Sequence, residues 1–198
     1  MYDLNTMMIH LNEELSQSLI LDGTKIQWYT DRIKKWEKGE RIAPVTVDMA
    51  LTRSCNYGCH FCYAMTQEND RSVISKENIF SFLDDAAEIG VKGISLVSDG
   101  ESTVSPVFVD TIERGGKNGL SMATATNGFL LNQDKLERIL PNLTYIRFNI
   151  SAGESKRYAE IMGCKEHWFE RVVKNIKLAV KIKKEKSLDV TIGMQMVF

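Results

Sequence analysis

The sequence has almost no net charge and no long apolar run, and both absences narrow the class of protein. Its 25 basic and 26 acidic side chains nearly cancel, which removes any global electrostatic argument for nucleic acid or an anionic membrane as a partner. No apolar run approaches the ~20 residues that span a bilayer. Residues 1–10 have neither the basic start nor the apolar core of a signal peptide. We therefore expect a cytoplasmic protein that binds neither membrane nor nucleic acid.

Cysteine is also scarce, with four residues in a chain of 198. That number is too small for the disulfide scaffold of a secreted protein. Cys55, Cys59 and Cys62 nevertheless crowd into one short segment, and such crowding indicates a metal site. A disulfide between two of them would close a strained local loop, which is more typical of redox-active than of structural bonds.

The apolar pattern predicts one α/β core with a parallel sheet. From residue 45 onward, short β-rich runs alternate with amphipathic helical stretches, which is typical of βαβ units. Ser75 is predicted to cap a helix that stops before Gly90, and Pro106 is predicted at the first position of a helix ending near Gly119. Five strands are predicted at 45–51, 93–97, 121–125, 144–150 and 190–198, and further helices at 25–38, 132–140 and 166–186.

The cysteine segment follows the first predicted strand directly, where a parallel barrel places its catalytic loops. Three thiolates can hold three irons of a four-iron cluster and leave the fourth iron open to a small molecule. The competing interpretation is a structural zinc ion, with His60 or the distant Cys164 as its fourth ligand. Cysteine spacing alone leaves these alternatives nearly balanced.

The cysteine segment resembles the signature of the radical S-adenosylmethionine (radical SAM) superfamily, in which an aromatic residue precedes the last cysteine. Phe61 fills that position between Cys59 and Cys62. The resemblance implies that Cys55, Cys59 and Cys62 hold a 4Fe–4S cluster. It also implies that the open iron binds the amino and carboxylate groups of S-adenosylmethionine, while backbone around Phe61 contacts adenine.

Two further segments match the superfamily in order. After the second predicted strand, Gly100 and Glu101 resemble a glycine-glycine-glutamate motif that receives the methionine ammonium, with Asp99 in place of its first glycine. After the third strand, Thr126-Asn127-Gly128 resembles a turn found in relatives that modify peptides, cofactors and sugars, the SPASM-like branch, where Asn127 faces the cofactor. Taken singly, both segments are ordinary turn signals.

The fourth predicted strand has a polar face, because period-two alternation puts Arg147, Asn149 and Ser151 on one side. The resemblance implies that Ser151, and then Asn149, contact the ribose hydroxyls of the cofactor. It also implies that Arg157 meets the cofactor's carboxylate. The structural alternative is that polar residues at a strand end satisfy loop backbone.

The resemblance implies a partial TIM-like (β/α) barrel of parallel strands with outer helices, of which five of the usual six βα units are visible. Residues 45–198 would form this barrel and residues 1–44 an N-terminal helical segment packed on it. We expect a missing C-terminal segment or a partner to complete the barrel. A free Cys164 is expected to be a small buried hydrophobe, with a radical-quenching role as the alternative.

The function implied is reductive cleavage of S-adenosylmethionine to methionine and a 5'-deoxyadenosyl radical, which abstracts hydrogen from a substrate. A flavodoxin or ferredoxin would supply the electron. Substrates of peptide or cofactor maturation are expected first and sugars second, and no catalytic residue is assigned. The alternative is a non-catalytic iron–sulfur or zinc-binding module, or an inactive fragment of a radical SAM protein.

Overall fold

The computed structural model of the protein describes residues 28–68, 72–97 and 99–197. The chain divides into two compact units, residues 1–43 and 44–198. In the first unit, helix α1 covers Thr30–Glu37, and Arg32 Nη1 donates to the carbonyl of Ala43 at 3.0 Å. Part of the predicted helix, residues 25–27, lies outside the described residues. The packing of residues 1–44 on the barrel stays a prediction.

The second unit contains five parallel strands that lie side by side in chain order. This sheet, with helices between successive strands, confirms the predicted α/β fold of a partial TIM-like barrel. The first strand is shorter than predicted, because after Met49 N donates to Ser95 O the chain leaves the sheet and Thr52 bridges Val73. The strands are β1 Thr46–Asp48, β2 Gly93–Leu96, β3 Ser121–Thr126, β4 Leu143–Asn149 and β5 Thr191–Gln195.

In the described part of the chain, five helices connect these strands. Ser75 Oγ accepts from Asn78 N at 3.2 Å and caps the first of them, as predicted. The prediction for Pro106 was wrong, because a short 3₁₀ turn at Ser102–Val104 precedes the helix, which begins only at Phe108. The helices are α2 Lys76–Glu88, α3 Phe108–Lys117, α4 Gln133–Ile139, α5 Ser155–Met162 and α6 Trp168–Glu185.

The two faces of β4 have different environments. Ile146 and Phe148 are fully buried, and Phe148 packs against Gly128, where a β-carbon would lie 2.8 Å from its ring. Alternation places Arg147 and Asn149 on the opposite face, as the sequence predicted. The core therefore lies between the sheet and its helices, and the polar face of β4 is turned away from it.

Ion pairs join the outer surfaces of three helices. Asp110 of α3 accepts from Lys76 Nζ of α2 at 2.6 Å and from Arg138 Nη2 of α4 at 3.1 Å. Arg138 also contacts Glu113 at 2.6 Å.

In the part of the chain that the structure describes, no helix combines the length and the apolarity needed to cross a membrane.

Candidate functional site

The three clustered cysteines share one cavity at the carboxyl end of β1. The loop turns back on itself where Cys62 N donates to Cys59 O at 3.1 Å, and Cys62 then begins the 3₁₀ turn Tyr63–Thr66. The cavity has a volume of about 350 Å³. Its walls are formed by Cys55, Cys59, Cys62 and seven neighbours: Arg53, Ser54, Tyr57, Tyr63, Ala64, Met65 and Gly100.

Burial makes two of these thiols weaker acids. Burial, and then the nearby charges of Cys55 and Cys62, raise the pKa of the Cys59 thiol to about 12. Burial also raises the pKa of Cys55, although the backbone N–H of Tyr57 donates to its Sγ at 3.4 Å. Because a metal binds the thiolate form of cysteine, metal binding at this site must release protons from the thiols. Among the described residues, no three thiol, imidazole or carboxylate groups converge around the position of a single ion.

Glu101 is buried and its carboxylate joins two loops. Oε1 accepts from the hydroxyls of Thr103 and Thr126, each at 2.7 Å, and Oε2 accepts from the backbone N–H of Asn127 at 2.7 Å. The residue is only 5% exposed. Its carboxylate therefore holds the loop after β2 against the end of β3, in addition to any contact with a ligand.

Gly100 brings the loop after β2 into backbone contact with the segment before Cys55. Its φ is +72°, and a β-carbon there would lie 2.7 Å from the carbonyl oxygen of Ser54. The next residue, Glu101, donates its N–H to that same oxygen at 2.9 Å. Only glycine fits this position, because both the left-handed conformation and the close approach exclude a side chain. The neighbouring Asp99, which departs from the superfamily motif, contacts Arg53 Nε at 3.6 Å.

Asn127 holds the cysteine loop directly. Its Nδ2 donates to Asn56 Oδ1 at 2.8 Å, and its Oδ1 accepts from Phe129 N at 3.0 Å. Asn56 follows Cys55, and its own Nδ2 is buried without a partner among the described residues. Asn56 was not predicted from the sequence. The signal that could have identified it is its place inside the cysteine segment.

The remaining predicted site residues fall into two groups. Ser151 lies just beyond β4, is 5% exposed, and has a buried Oγ without a partner in the described ranges. Asn149 ends β4 on the same face. Phe61 and Arg157 instead line a second, open cavity of about 560 Å³, formed with His60, Glu160, Ile161 and Val197. Arg157 also pairs with Glu160 at 3.1 Å, so the structure does not bring it to the cysteine cavity.

Helix α5, which the sequence analysis did not predict, supports the cysteine loop from outside the cavity. Gly58 N donates to Gly163 O at 3.3 Å, and His60 N donates to Ile161 O at 3.0 Å. A left-handed Gly163 ends the helix, as in many helix C-caps. That glycine after the amphipathic run 155–162 is the sequence signal that could have revealed the helix.

An apolar cluster lies between α5 and the cysteine loop. The hydroxyls of Tyr57 and Tyr158 hydrogen bond at 3.1 Å, and burial raises the pKa of both phenols. Cys164 packs against this cluster, and burial raises the pKa of its thiol. These contacts favour the interpretation of Cys164 as a small hydrophobic residue.

A partial parallel barrel with three thiols at the carboxyl end of its first strand defines an α/β domain built around a metal-cofactor site. The model of the radical SAM superfamily matches residues 49–197. The chain therefore belongs to this superfamily, which uses a 4Fe–4S cluster and S-adenosylmethionine. The resemblance found in the sequence is confirmed.

Curated relatives include enzymes named for nucleotide substrates. A probable GTP 3',8-cyclase of Saccharolobus islandicus is 31% identical over 138 residues, which is 68% of this chain and 43% of that protein. An S-adenosylmethionine-dependent nucleotide dehydratase of Flammeovirga pacifica is 28% identical over 125 residues, or 61% of this chain and 42% of that protein. The chain thus spans less than half the length of these relatives.

Solved structures of similar fold include two radical SAM proteins. Streptococcus suis SuiB bound to S-adenosylmethionine has a TM-score of 0.67 at 19% identity, covering 98% of this chain and 44% of SuiB. The protein anSMEcpe with bound AdoMet has a TM-score of 0.62 at 16% identity, covering 77% of this chain and 43% of its own. These likenesses establish the fold.

Proposed function

We propose that the chain binds a 4Fe–4S cluster through Cys55, Cys59 and Cys62 and cleaves S-adenosylmethionine reductively. The observation that carries this proposal is that the three thiols line one cavity beside the Gly100 backbone. When bound, the cluster supplies the electron that splits the cofactor into methionine and a 5'-deoxyadenosyl radical. A flavodoxin or ferredoxin is the proposed external reductant.

The donor set fits this cluster better than zinc. Three thiolates hold three different irons of a cluster, so their sulfurs need not meet around one point. A structural zinc ion requires four ligands in a tetrahedron. His60 lines the second cavity, and Cys164 packs in the apolar cluster, so neither candidate for a fourth ligand lines the cysteine cavity.

The chain's own residues would bind and orient the cofactor. Glu101 follows Gly100, which lines the cavity, and its buried carboxylate is proposed to receive the methionine ammonium. Ser151 has a buried hydroxyl without a partner in the described part of the chain, which supports its proposed contact with the ribose, with Asn149 as the neighbouring candidate. Phe61 is proposed to contact the adenine from the second cavity, whereas Arg157, which pairs with Glu160 outside the cysteine cavity, is not assigned to the carboxylate.

The substrate proposal is a nucleotide first and a peptide second. Nucleotides are favoured because the curated relatives named above act on GTP or on nucleotides. A peptide is the second candidate because SuiB has also been crystallised with its precursor peptide SuiA. Residues on the inner face of the sheet would determine this choice, because the substrate must reach the cofactor there.

Electron paramagnetic resonance of anaerobically reconstituted, dithionite-reduced protein tests the proposal. We expect about four irons per chain and a reduced-cluster spectrum that changes when S-adenosylmethionine is added. Cys59→Ala should lose the cluster, while the matched control Cys164→Ser should keep it. The proposal would be refuted if the spectrum of the reconstituted protein did not change on addition of S-adenosylmethionine, or if the protein bound zinc in place of iron.

A further inference from the structure

Arg147 places a positive charge on the inner face of the sheet. It lies in the middle of β4, between Ile146 and Phe148, whose side chains are fully buried on the helix side. Alternation turns Arg147 to the opposite face. Its Nε is buried and has no hydrogen-bond partner among the residues that the structure describes.

The neighbours of Arg147 leave space above the sheet. In the strand register it lies between Ala125 of β3 and Gly193 of β5. Tyr145 shares the face of Arg147, and its hydroxyl oxygen would be 3.0 Å from a β-carbon at position 193. Two small residues therefore flank Arg147 in the sheet, and a phenol hydroxyl lies next to one of them, an arrangement that leaves room for a bulky group on this face.

Arg147 is half-buried and its buried Nε has no acceptor among the described residues, which is unfavourable because taking a charged group out of water costs free energy that only a partner recovers. Arginine cannot avoid this cost by losing its proton. The group that matches the guanidinium is an oxyanion, and phosphate or carboxylate can accept two parallel hydrogen bonds from it. The inner face of β4 is thus prepared for an anionic ligand.

Its position separates this ligand from the cofactor. Arg147 precedes Ser151 by four residues, which corresponds to about 13 Å along an extended chain at ~3.3 Å per residue. The backbone at Arg147 therefore lies deeper in the barrel than that of Ser151, and about 7 Å deeper than that of Asn149, the residue of β4 proposed for S-adenosylmethionine. A group bound at Arg147 belongs to a second molecule, which in this arrangement is the substrate.

We infer that Arg147 binds a phosphate group of the substrate, with the Tyr145 hydroxyl as a second donor. This inference rests on the proposed function, because it assigns the inner face of the barrel to the substrate. It specifies the substrate class as a phosphorylated small molecule, for which a nucleoside triphosphate is the first probe.

The test measures binding of GTP, guanosine and inorganic tripolyphosphate to the reconstituted full chain in the presence of S-adenosylmethionine. Arg147→Gln should weaken GTP and tripolyphosphate binding by about 10- to 100-fold, the loss expected for one charge-assisted contact. Arg147→Lys should restore part of the affinity. Binding of guanosine should be the same in the wild type and Arg147→Gln.

Lys181→Gln is the matched control, since it also removes one positive charge. Lys181 is 67% exposed on α6 and pairs only loosely with Glu185, at 3.7 Å, so this variant should bind GTP like the wild type. Thermal unfolding without ligand gives a second readout. Arg147→Gln should unfold at the wild-type temperature or above it, whereas loss of a structural ion pair would lower that temperature.

Two results would overturn the inference: a wild-type chain that binds neither GTP nor tripolyphosphate, or Arg147→Gln binding both as tightly as wild type. A lowered unfolding temperature of Arg147→Gln would also count against it, because it would reveal a structural partner. The spectral response of the wild-type cluster to S-adenosylmethionine is recorded on the same preparation. That response tests the proposed function separately, so failure of one conclusion is distinguishable from failure of the other.

Discussion

The backbone N–H of Gly58 donates to the carbonyl of Gly163 at 3.3 Å and joins the cysteine loop to the end of α5. Gly163 has a φ of +58°, and a β-carbon there would collide with the carbonyl of Gly58. The two backbones can therefore touch only because position 163 has no side chain. This contact places the loop that carries Cys59 against a helix formed about a hundred residues later in the chain.

Gly163→Ala should destabilise the protein and reduce cluster loading. The left-handed conformation alone costs alanine roughly 1–2 kcal/mol, and the collision with Gly58 adds to it. Urea unfolding of the cluster-free protein and iron content after reconstitution measure the two effects. Gly153→Ala is the control, because a β-carbon at Gly153 meets nothing within 4 Å. Equal behaviour of the two variants would show that the contact does not support the loop.

Glu101→Gln separates the structural role of this residue from its charge. Glutamine keeps the shape of the side chain, and its one carbonyl oxygen can still accept from Asn127, but its NH2 group cannot accept from the Thr103 N–H. We therefore expect some loss of stability, smaller than that of Glu101→Ala. Affinity for S-adenosylmethionine should fall about tenfold or more, because the carboxylate proposed to meet the methionine ammonium is gone. Titration of the electron paramagnetic resonance change with S-adenosylmethionine measures this affinity.

Glu101→Ala is the companion variant for the same residue. It leaves the hydroxyls of Thr103 and Thr126 and the N–H of Asn127 without their acceptor. Each buried donor left unsatisfied costs about 1–3 kcal/mol, so this variant should unfold at clearly lower urea than Glu101→Gln. Unchanged affinity for S-adenosylmethionine in Glu101→Gln would remove the residue from the cofactor site and leave it a structural role.

The hydrogen bond between Tyr57 and Tyr158 should show strong coupling in a double-mutant cycle. Tyr57→Phe leaves the buried Tyr158 hydroxyl without this partner, at an expected cost of about 1–3 kcal/mol. Removing both hydroxyls in Tyr57→Phe/Tyr158→Phe should cost less than the sum of the single changes. Urea unfolding of all four proteins measures the coupling. Additive losses would mean that the two hydroxyls do not depend on each other.

Asp110 should contribute to stability at neutral pH and lose that contribution in acid. The hydrogen bond from Lys76, and then that from Arg138, holds the pKa of its carboxyl below the usual value. A carboxyl whose pKa is lower in the folded state stabilises the protein at pH values above its unfolded-state pKa of about 3.9. This stabilisation disappears as the pH falls through the folded-state pKa.

Asp110→Asn should therefore lower the free energy of unfolding at pH 7 by less than about 1 kcal/mol, since the pairs are partly exposed. The difference from wild type should shrink between pH 5 and pH 3. Urea unfolding across this range measures the difference in free energy of unfolding. Adding 1 M salt at pH 7 should also reduce this difference, because salt screens the ion pairs. A difference that stays constant down to pH 3 would exclude the ion pairs as its cause.

Most of the barrel could be predicted from the sequence, because its strands and helices follow strong local periodicity. The five strands appear at the predicted places, and Ser75 caps α2 as expected. Helix α5 escaped prediction because it is only eight residues long and is fixed by tertiary packing. Its buried residues, Tyr158 and Met162, contact the cysteine loop.

The candidate site could likewise be predicted from the sequence only in part. Spacing alone predicted Cys55, Cys59 and Cys62 as metal ligands, since three thiols in one short loop have few other uses. The resemblance to the superfamily could not separate Arg157 from the cysteine cavity. The direction of that side chain depends on how α5 packs, and it pairs with Glu160 instead.

By itself the sequence determined the order of strands and helices, the cysteine loop after β1 and the polar face of β4, because these depend on local spacing and alternation. Only the tertiary structure decided what each polar group meets. Glu101 became an acceptor for residues of β3 and its turn, whereas Arg147 was left on the inner face without a partner in the described chain. Such outcomes arise from contacts between distant segments, and local sequence carries no signal for them.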